Sequence, residues 1–368
     1  MTNGPYIRLS LPRIIAISLG AVALAGVAAI LFTWSGLYSV AASEGHLVVV
    51  DKFLRFGMKS SVRTHARNIE PPDLSDPNLV TLGAAHYYSG CMPCHGAPGH
   101  AGNAVFQQSL PPPPDLRTAS ETWRDRELFW LVKHGLKYTG MPGWSARDRN
   151  DEQWAMVAFL KRLPQLSSNA FEALALGGLP RDRVANDEPS KTFGVDTAQC
   201  ARCHGDARSS PTSTHVPRLA GQSEAYLRQA LSDYAGGARQ SGIMQPIASS
   251  LSPGQLSAYS AYYAKAPARA APEAPGSHPG AKLAGEGDQA RAIPACESCH
   301  GAARHQSYPG LAGQSATYLA SQLRLWRDGP PRSGSLAAIM APVASRLSDA
   351  EIAALAAYYS GASEARSP

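Results

Sequence analysis

The hydrophobic residues form one long run near the N-terminus, followed by many shorter stretches in which apolar positions recur at helical spacing. Residues 14–34 carry no charge and are long enough, at about 1.5 Å per residue, to cross the roughly 30 Å hydrocarbon core of a bilayer. The apolar segment of a cleavable signal is shorter, at roughly 7–15 residues. The run therefore predicts an uncleaved membrane anchor, although Val40-Ala41-Ala42 resembles a cleavage site.

The charges around this run predict its orientation. Arg8 and Arg13 precede it, whereas residues 35–51 contain neither Lys nor Arg. Because positive residues are retained on the cytoplasmic side, we expect the remaining chain to lie on the opposite side of the membrane.

Residues 47–63 predict an amphipathic helix next to the anchor. Its apolar face is formed by Leu47, Val50, Leu54 and Met58, and a basic stripe beside it by Lys52, Arg55, Lys59 and Arg63. This pattern suits a helix lying on anionic lipid, and it suits equally a connecting helix packed on the following domain or on a partner.

The chain beyond residue 70 predicts an all-α fold. Pro77 to Gly90 and Asp125 to His134 have helical patterns, the second with Gly135 as its C-terminal stop. Asn150 with Gln153 predicts the start of a third helix that Pro164 ends. Residues 165–190 read as a connector of mixed character.

Two later segments form a tandem repeat. Leu-Ala-Gly-Gln-Ser at 219–223 recurs at 311–315, and each copy continues with Tyr-Leu and ends in a Tyr-Tyr pair. We expect Ser223 and Ser315 to cap helices, and Ser348 with Glu351 to form a capping box before the last helix. Residues 265–285 between the copies predict an extended linker. The predicted domains are 1–70, 71–175, 176–275 and 276–368.

Composition and charge exclude several classes. Of 368 residues, 44% are hydrophobic and 17% charged, which excludes wholesale disorder, and the single long apolar run excludes a polytopic membrane protein. The net charge is +6, but there is no cluster of Lys and Arg, so we expect no nucleic-acid partner.

The six cysteines identify the chemistry. Each belongs to a C-x-x-C-H motif, and the three motifs are Cys91, Cys94 and His95; Cys200, Cys203 and His204; and Cys296, Cys299 and His300. This motif attaches c-type haem, because two thiols on one helical turn reach the two vinyl groups and the adjacent imidazole reaches the iron. We therefore expect three covalent haems, carried outside the cytoplasmic membrane of a bacterium. A redox dithiol would not require the His, and the spacing between motifs does not suggest paired zinc sites.

Methionine placement suggests the sixth iron ligands. Met244 lies as far beyond His204 as Met340 lies beyond His300, and Met141 follows His95 after a slightly longer interval. The alternatives are that these methionines fill the core or that His134 is a ligand. For His134, and equally for His100, His215 and His305, a packed or surface role is the favoured interpretation.

A Pro-x-Leu element follows each motif, at Pro114, Pro217 and Pro309. A haem-ligating His normally donates its second ring N–H to an acceptor that orients it, and a proline carbonyl would serve. On sequence alone, a simple turn explains the element as well.

These residues resemble class I c-type cytochromes. The resemblance implies that the Cys pairs bind haem, that the following His and the distant Met ligate iron, and that the Pro carbonyl accepts the His N–H bond. Residues 190–363 resemble specifically the di-haem cytochrome c4 family, through the Leu-Ala-Gly-Gln-Ser stretches, residues 339–342 and residues 347–349. Residues 77–163 are similar to single-haem domains of membrane-bound cytochromes. The first repeat departs from the c4 pattern at Gln245 and in the longer loop 212–215.

The resulting hypothesis is a membrane-anchored tri-haem electron carrier with no catalytic residues. We expect it to accept electrons from a quinol-oxidising complex or dehydrogenase, and to pass them to a terminal oxidase or soluble cytochrome on the periplasmic side of the inner membrane. One alternative is the cytochrome subunit of a membrane quinoprotein dehydrogenase. Another is a haem peroxidase or gas sensor, which would need an open haem.

Overall fold

The computed structural model describes residues 10–179, 197–267, 278–330, 332–333 and 337–361, and in these ranges the chain is helical and has no β-strand. Two helices lie at the N-terminal side: α1 (Leu11–Trp34) and α2 (Val48–Ala66). The first helical unit, residues 77–176, contains α3 (Pro77–Gly90), α4 (Met92–His95), α5 (Ala104–Gln107), α6 (Ala119–Thr122), α7 (Asp125–His134), α8 (Asn150–Arg162) and α9 (Ser168–Leu176).

The tandem repeat forms two further units. The second unit, residues 198–265, contains α10 (Ala198–His204), α11 (Glu224–Ala235), α12 (Met244–Ser249) and α13 (Pro253–Lys265). The third unit, residues 279–360, contains α14 (Pro279–Gly285), α15 (Glu297–His300), α16 (Ala316–Arg327), α17 (Ala337–Ala344) and α18 (Asp349–Ser360).

Helix α1 is the one helix in the described ranges that is long and apolar enough to cross a membrane, and all its side chains are exposed. Length and composition of this kind are shared by membrane anchors and signal sequences. Arg13 lies in its first turn, and Arg8 is outside the described residues.

Helix α2 has two different halves. Its C-terminal end packs on α7 of the first unit, where Val62 and Ala66 are buried and Arg126 donates a 3.0 Å hydrogen bond to the carbonyl of Arg67. Its N-terminal half has large apolar side chains in solvent, including Phe53 and Phe56. The described contacts therefore hold only one end of the helix.

The core of the first unit lies between α3, α8 and α9. Tyr87, Phe159 and Phe171 are fully buried there, with Met156 beside them as core filler. Helices α3 and α8 approach closely because position 83 is glycine, and a Cβ atom there would lie 2.3 Å from the carbonyl oxygen of Ala155. Helix α9 lies within the connector expected at 165–190, and it joins this core through Phe171.

The predicted start of α8 is confirmed, since the helix begins at Asn150. Arg149, not Asn150, is the N-cap residue, and no side chain caps the helix. The Asn150 side chain instead accepts a 2.8 Å hydrogen bond from Lys133. The predicted end is confirmed, since α8 stops at Arg162 and a 3-10 turn containing Pro164 follows.

The caps predicted in the repeat are confirmed. Ser223 and Ser315 accept hydrogen bonds from the backbone N–H groups of Tyr226 and Tyr318, and Ser348 forms the capping box with Glu351. The prediction of an extended linker is wrong for residues 279–285, because His278 caps α14 and Gly280 packs against the Ala354 carbonyl of α18. Residues 268–277 of that linker lie outside the described residues.

Candidate haem sites

The three C-x-x-C-H motifs lie on short helices. His95, His204 and His300 are the last residues of α4, α10 and α15, so that each pair of cysteines occupies one helical turn just before its histidine. Gly96 and Gly205 follow the first two motifs with φ of 68°, a conformation that a residue with a Cβ atom rarely adopts. The chain therefore turns away sharply after these histidines.

Each motif histidine is oriented by a proline carbonyl. The Nδ1 atoms of His95, His204 and His300 lie 2.8, 2.8 and 2.9 Å from the carbonyl oxygens of Pro114, Pro217 and Pro309. Since a carbonyl can only accept, Nδ1 carries the proton in each ring and Nε2 keeps its lone pair. This tautomer is the one required of a metal-ligating imidazole.

Burial also favours the neutral form of two of these imidazole rings. It lowers the pKa of His204 and of His300, while the bond to the proline carbonyl opposes the shift. The neutral imidazole, which is the form that binds metal, is therefore favoured in both.

The cysteines form no disulfides and no clustered metal site. All six are half-buried, and none is joined to another cysteine. In the part of the chain that the structure describes, no three His, Cys, Asp or Glu side chains converge on a point. The described residues therefore contain no cluster of ligands that joins two motifs.

The three candidate methionines are half-buried. The N–H of Met141 donates to Thr139 Oγ1 at 3.1 Å. Met244 opens α12, with its N–H donating to Ser241 Oγ at 2.9 Å. Met340 lies inside α17, two residues before Pro342.

The other histidines considered have different partners. His134 is exposed and packs on Trp130, while His305 accepts from the N–H of Ser307 at 3.2 Å. His100 lies 2.8 Å from Glu172, and His215 lies 3.1 Å from Asp76. These contacts explain all four imidazoles as packing or surface groups.

A pair of arginines was missed in the sequence. Arg239 and Arg332 precede Met244 and Met340, and each stacks on an aromatic ring of the preceding helix, Tyr234 or Trp326. Both donate to the side-chain oxygen of Gln322, at 3.1 Å. The sequence feature that could have revealed them is an Arg that recurs shortly before Ser-Gly in each repeat.

The charge of these two guanidinium groups shows whether the second and third units suit the anionic groups of haem. They share one neutral acceptor, and neither forms an ion pair with a carboxylate among the described residues. Two neighbouring partly buried cations repel each other and favour binding of an anion between them. Haem carries two propionate groups, so the residues present fit it.

The second motif also contacts the first unit. Arg202, between Cys200 and Cys203, is buried and donates to the carbonyl oxygens of Ala85 and Ala175 at 2.7 and 3.2 Å. Loop 212–215 docks nearby.

In that loop, Ser213 donates to the Asn78 carbonyl at 2.9 Å, and the N–H of Thr214 donates to the Asn78 side chain at 3.1 Å. The loop that departs from the c4 pattern is therefore a contact with a unit that precedes the repeat.

Two stretches of the chain match sequence profiles of protein families. Residues 78–160 match the family described as cytochrome c oxidase, cbb3-type, subunit III. Residues 278–362 match the cytochrome c family.

Individual relatives resemble the C-terminal half. A thiosulfate dehydrogenase electron acceptor from Thiomonas intermedia is 38% identical over 168 residues, which cover 44% of this chain and 77% of that protein. Cytochrome c4 from Pseudomonas aeruginosa is 34% identical over 169 residues, covering 45% and 84%. The crystal structure of reduced cytochrome c4 from Pseudomonas stutzeri shares 32% identity and covers 45% of this chain and 95% of its own, with a TM-score of 0.41.

Proposed function

We propose, since the chain belongs to the cytochrome c4 family of electron-transfer proteins, that it is a membrane-anchored carrier with three haems that links a periplasmic dehydrogenase to a terminal oxidase. The observation that carries this proposal is the repeated arrangement of motif histidine and proline carbonyl in all three units. Haem c, when bound, supplies reversible one-electron chemistry at the iron.

Each unit would hold one haem with an equivalent set of side chains. The thioether bonds would form at Cys91 and Cys94, Cys200 and Cys203, and Cys296 and Cys299. The axial ligands would be His95 with Met141, His204 with Met244, and His300 with Met340. The proline carbonyls keep each imidazole in the ligating tautomer.

Two arginines would bind the periphery of the haem. Arg239 and Arg332 would bind propionates between the second and third units, and the stacked aromatic rings help to hold both planar guanidinium groups in place. With a histidine and a methionine on each iron, no haem would have an open site for substrate. This arrangement supports a carrier over a peroxidase or gas sensor.

The relatives support a choice of partners. Two relatives from different organisms, 38% and 40% identical to this chain, are thiosulfate dehydrogenase electron acceptors, which favours a periplasmic dehydrogenase of that type as the donor. The match of residues 78–160 to a subunit of a cbb3-type oxidase favours an oxidase as the acceptor.

Helix α1 supports the location. Its length and the absence of charges after Arg13 fit a single span of the bacterial inner membrane, with all three units in the periplasm. In spheroplasts, protease should therefore digest residues 70–368 without opening of the inner membrane. Protection of the haem units until that membrane is lysed would overturn this topology.

The function is tested with the detergent-solubilised full chain. Haem content should be three per chain, and the double variant Cys200→Ala/Cys203→Ala should contain two. A thiosulfate dehydrogenase with thiosulfate should reduce the protein, and solubilised terminal oxidase should reoxidise it. Reduction only by a quinoprotein dehydrogenase that co-purifies with the chain would favour the alternative of a dehydrogenase subunit.

A further inference from the structure

Glu152 occupies a helix position at which the corresponding residues of the second and third units form capping boxes. It is the third residue of α8, as Gln255 is of α13 and Glu351 is of α18. Those two side chains close capping boxes with the serine that begins their own helix. Helix α8 has Arg149 as its N-cap residue and no side-chain cap, so the Glu152 carboxylate closes no capping box in its own helix.

The Glu152 carboxylate is instead shared between two units. It is 3% exposed. From its own unit it receives Nε1–H of Trp144 at 3.1 Å and pairs with Arg149 at 3.0 Å. From the second unit it accepts the hydroxyl of Ser241 at 2.5 Å and the backbone N–H of Gly242 at 2.6 Å.

These contacts lead directly to a candidate iron ligand. The hydroxyl oxygen of Ser241 accepts the N–H groups of Ile243 at 3.2 Å and Met244 at 2.9 Å. One carboxylate in the first unit thus holds the turn that presents Met244 in the second. Trp144, its donor on the other side, lies three residues after Met141, so both methionine loops meet at Glu152.

The packing at this junction leaves no space. A Cβ atom on Gly242 would lie 1.9 Å from Nε1 of Trp144, and its three nearest neighbours all belong to that ring. Arg149 also crosses the junction, donating to the Gln240 carbonyl at 2.8 Å while it pairs with Asp151 at 2.8 Å. The buried carboxylate is therefore matched by a cation and by hydrogen bonds, as a buried charge requires.

We propose that Glu152 is a positioning residue through which the first unit sets the Met244 loop, so that the redox properties of the second haem depend on the first unit. This inference rests on the proposed function insofar as Met244 is an iron ligand. It adds a role for the first unit beyond carrying its own haem.

Glu152→Ala in the purified full chain is the first test. It removes the acceptor of Ser241 and Gly242, and the bond from Met244 to iron should weaken most because the Ser241 hydroxyl directly holds the N–H of Met244. We expect loss of about one third of the near-infrared Met–iron absorption, carbon monoxide binding at one haem, and a downward shift of one of three potentials. Glu152→Gln keeps an acceptor oxygen and should restore most of the signal.

Glu351→Ala is the matched control, because it removes the residue at the same helix position in the third unit. It should leave all three potentials near their wild-type values. Combined with Met244→Ala, Glu152→Ala should have no further effect on the Met–iron band. Combined with Met340→Ala, it should remove about another third of the wild-type band.

Gly242→Ala tests the same junction from the second unit if Glu152→Ala does not fold. It should displace Trp144 and reproduce the change in one haem, whereas Gly254→Ala, where a Cβ atom meets only Ser252 Oγ at 4.0 Å, should not. Wild-type potentials and absorption in folded Glu152→Ala or Gly242→Ala protein would overturn the inference but leave the proposed function intact. Fewer than three haems, or no reduction by any dehydrogenase, would overturn the proposed function instead.

Discussion

Gln222 and Gln314 occupy the same position in the two repeats, and each side-chain amide forms two hydrogen bonds with the backbone of the other unit. Gln222 donates to the Gly310 carbonyl at 2.8 Å and accepts the Gly310 N–H at 2.9 Å. Gln314 bonds both backbone groups of Arg218 in the same way, at 2.6 and 2.9 Å. Gly310 and Arg218 directly follow the prolines that orient His300 and His204. Each unit therefore holds the histidine loop of the other.

Replacing Gln222 or Gln314 by Ala should weaken the junction of the second and third units. Each change removes the partner of a backbone N–H and of a carbonyl at a half-buried position, at a cost of up to about 1–3 kcal/mol per group. We expect a lower midpoint in guanidinium unfolding of the holoprotein, followed through haem absorption.

Gln229→Ala is the control for this prediction. Gln229 lies on α11, seven residues after Gln222, and its exposed side chain donates to Asp233 of the same helix at 2.7 Å. This variant should unfold close to the wild-type midpoint. Equal unfolding of Gln222→Ala and Gln229→Ala would show that the reciprocal bonds contribute nothing.

Replacing Met141, Met244 or Met340 by Ala should separate a carrier from a catalyst. Covalent haem should remain, since the cysteines and histidine hold it from the other side. Each variant should lose about one third of the Met–iron absorption and gain one haem that binds carbon monoxide. Wild-type protein should bind little of this gas.

Met156→Leu is the control for the methionine series, because Met156 is fully buried in the core of the first unit. The volume of the side chain is nearly conserved, and no iron signal should change. Strong carbon monoxide binding by wild-type protein at neutral pH would mean an open haem and contradict the carrier assignment.

The parts of this structure that follow from local sequence were predictable. The Ser223 hydroxyl reaches the N–H of Tyr226 three residues later, so its cap depends on nothing outside the helix. The interval between histidine and methionine is likewise visible within each repeat. The all-α fold follows from the same short-range signals.

The contacts between units were not predictable from the same signals. Glu152 is at a helix position where an acidic residue normally serves its own N-terminus, and only the packed first and second units show a different use. In the sequence, loop 212–215 was recognisable only as a departure from the c4 pattern. In the structure it binds Asn78 of the first unit. Helix α14 forms in a stretch rich in Gly and Pro because Gly280 fits against α18.

The stability of the first unit should fall in acid because of His86. Burial, with a smaller effect from Arg202, lowers the pKa of His86 from 6.5 to about 4. Its ring packs on Trp144, and the charged group that faces it is Arg202 of the second unit. Between pH 6.5 and about 4 the unfolded chain binds a proton that the folded chain does not, so the free energy of unfolding decreases as the pH falls through this window.

The loss should be on the order of 3 kcal/mol at full extent, and His86→Gln should remove most of this slope. The measurement is thermal unfolding of the holoprotein at a series of pH values. His46→Gln, which changes an exposed histidine near α2, serves as control and should keep the wild-type slope. An unchanged slope in His86→Gln would contradict the prediction.

Helix α2 should bind membranes independently of α1. In its N-terminal half Phe53 and Phe56 are each about 70% exposed, at 71% and 70%, and Lys52 and Arg55 lie on the same stretch. Exposed aromatic side chains next to cations favour the interface of anionic lipid. A secreted form lacking residues 1–38 should therefore still sediment with vesicles that contain anionic lipid, and added salt should weaken its binding.

Phe53→Ser/Phe56→Ser in this shortened form should reduce vesicle binding by about tenfold or more, because burial of one Phe side chain is worth about 1.5–3 kcal/mol. Val105→Ser is the control, since Val105 is as exposed, at 73%, but lies in the first unit away from α2. The packing of Val62 and Ala66 on α7 should survive in all three proteins, so their haem spectra should be identical. If the shortened form with intact α2 does not bind vesicles, α1 alone would account for membrane attachment, and the exposed face of α2 would be left for a protein partner.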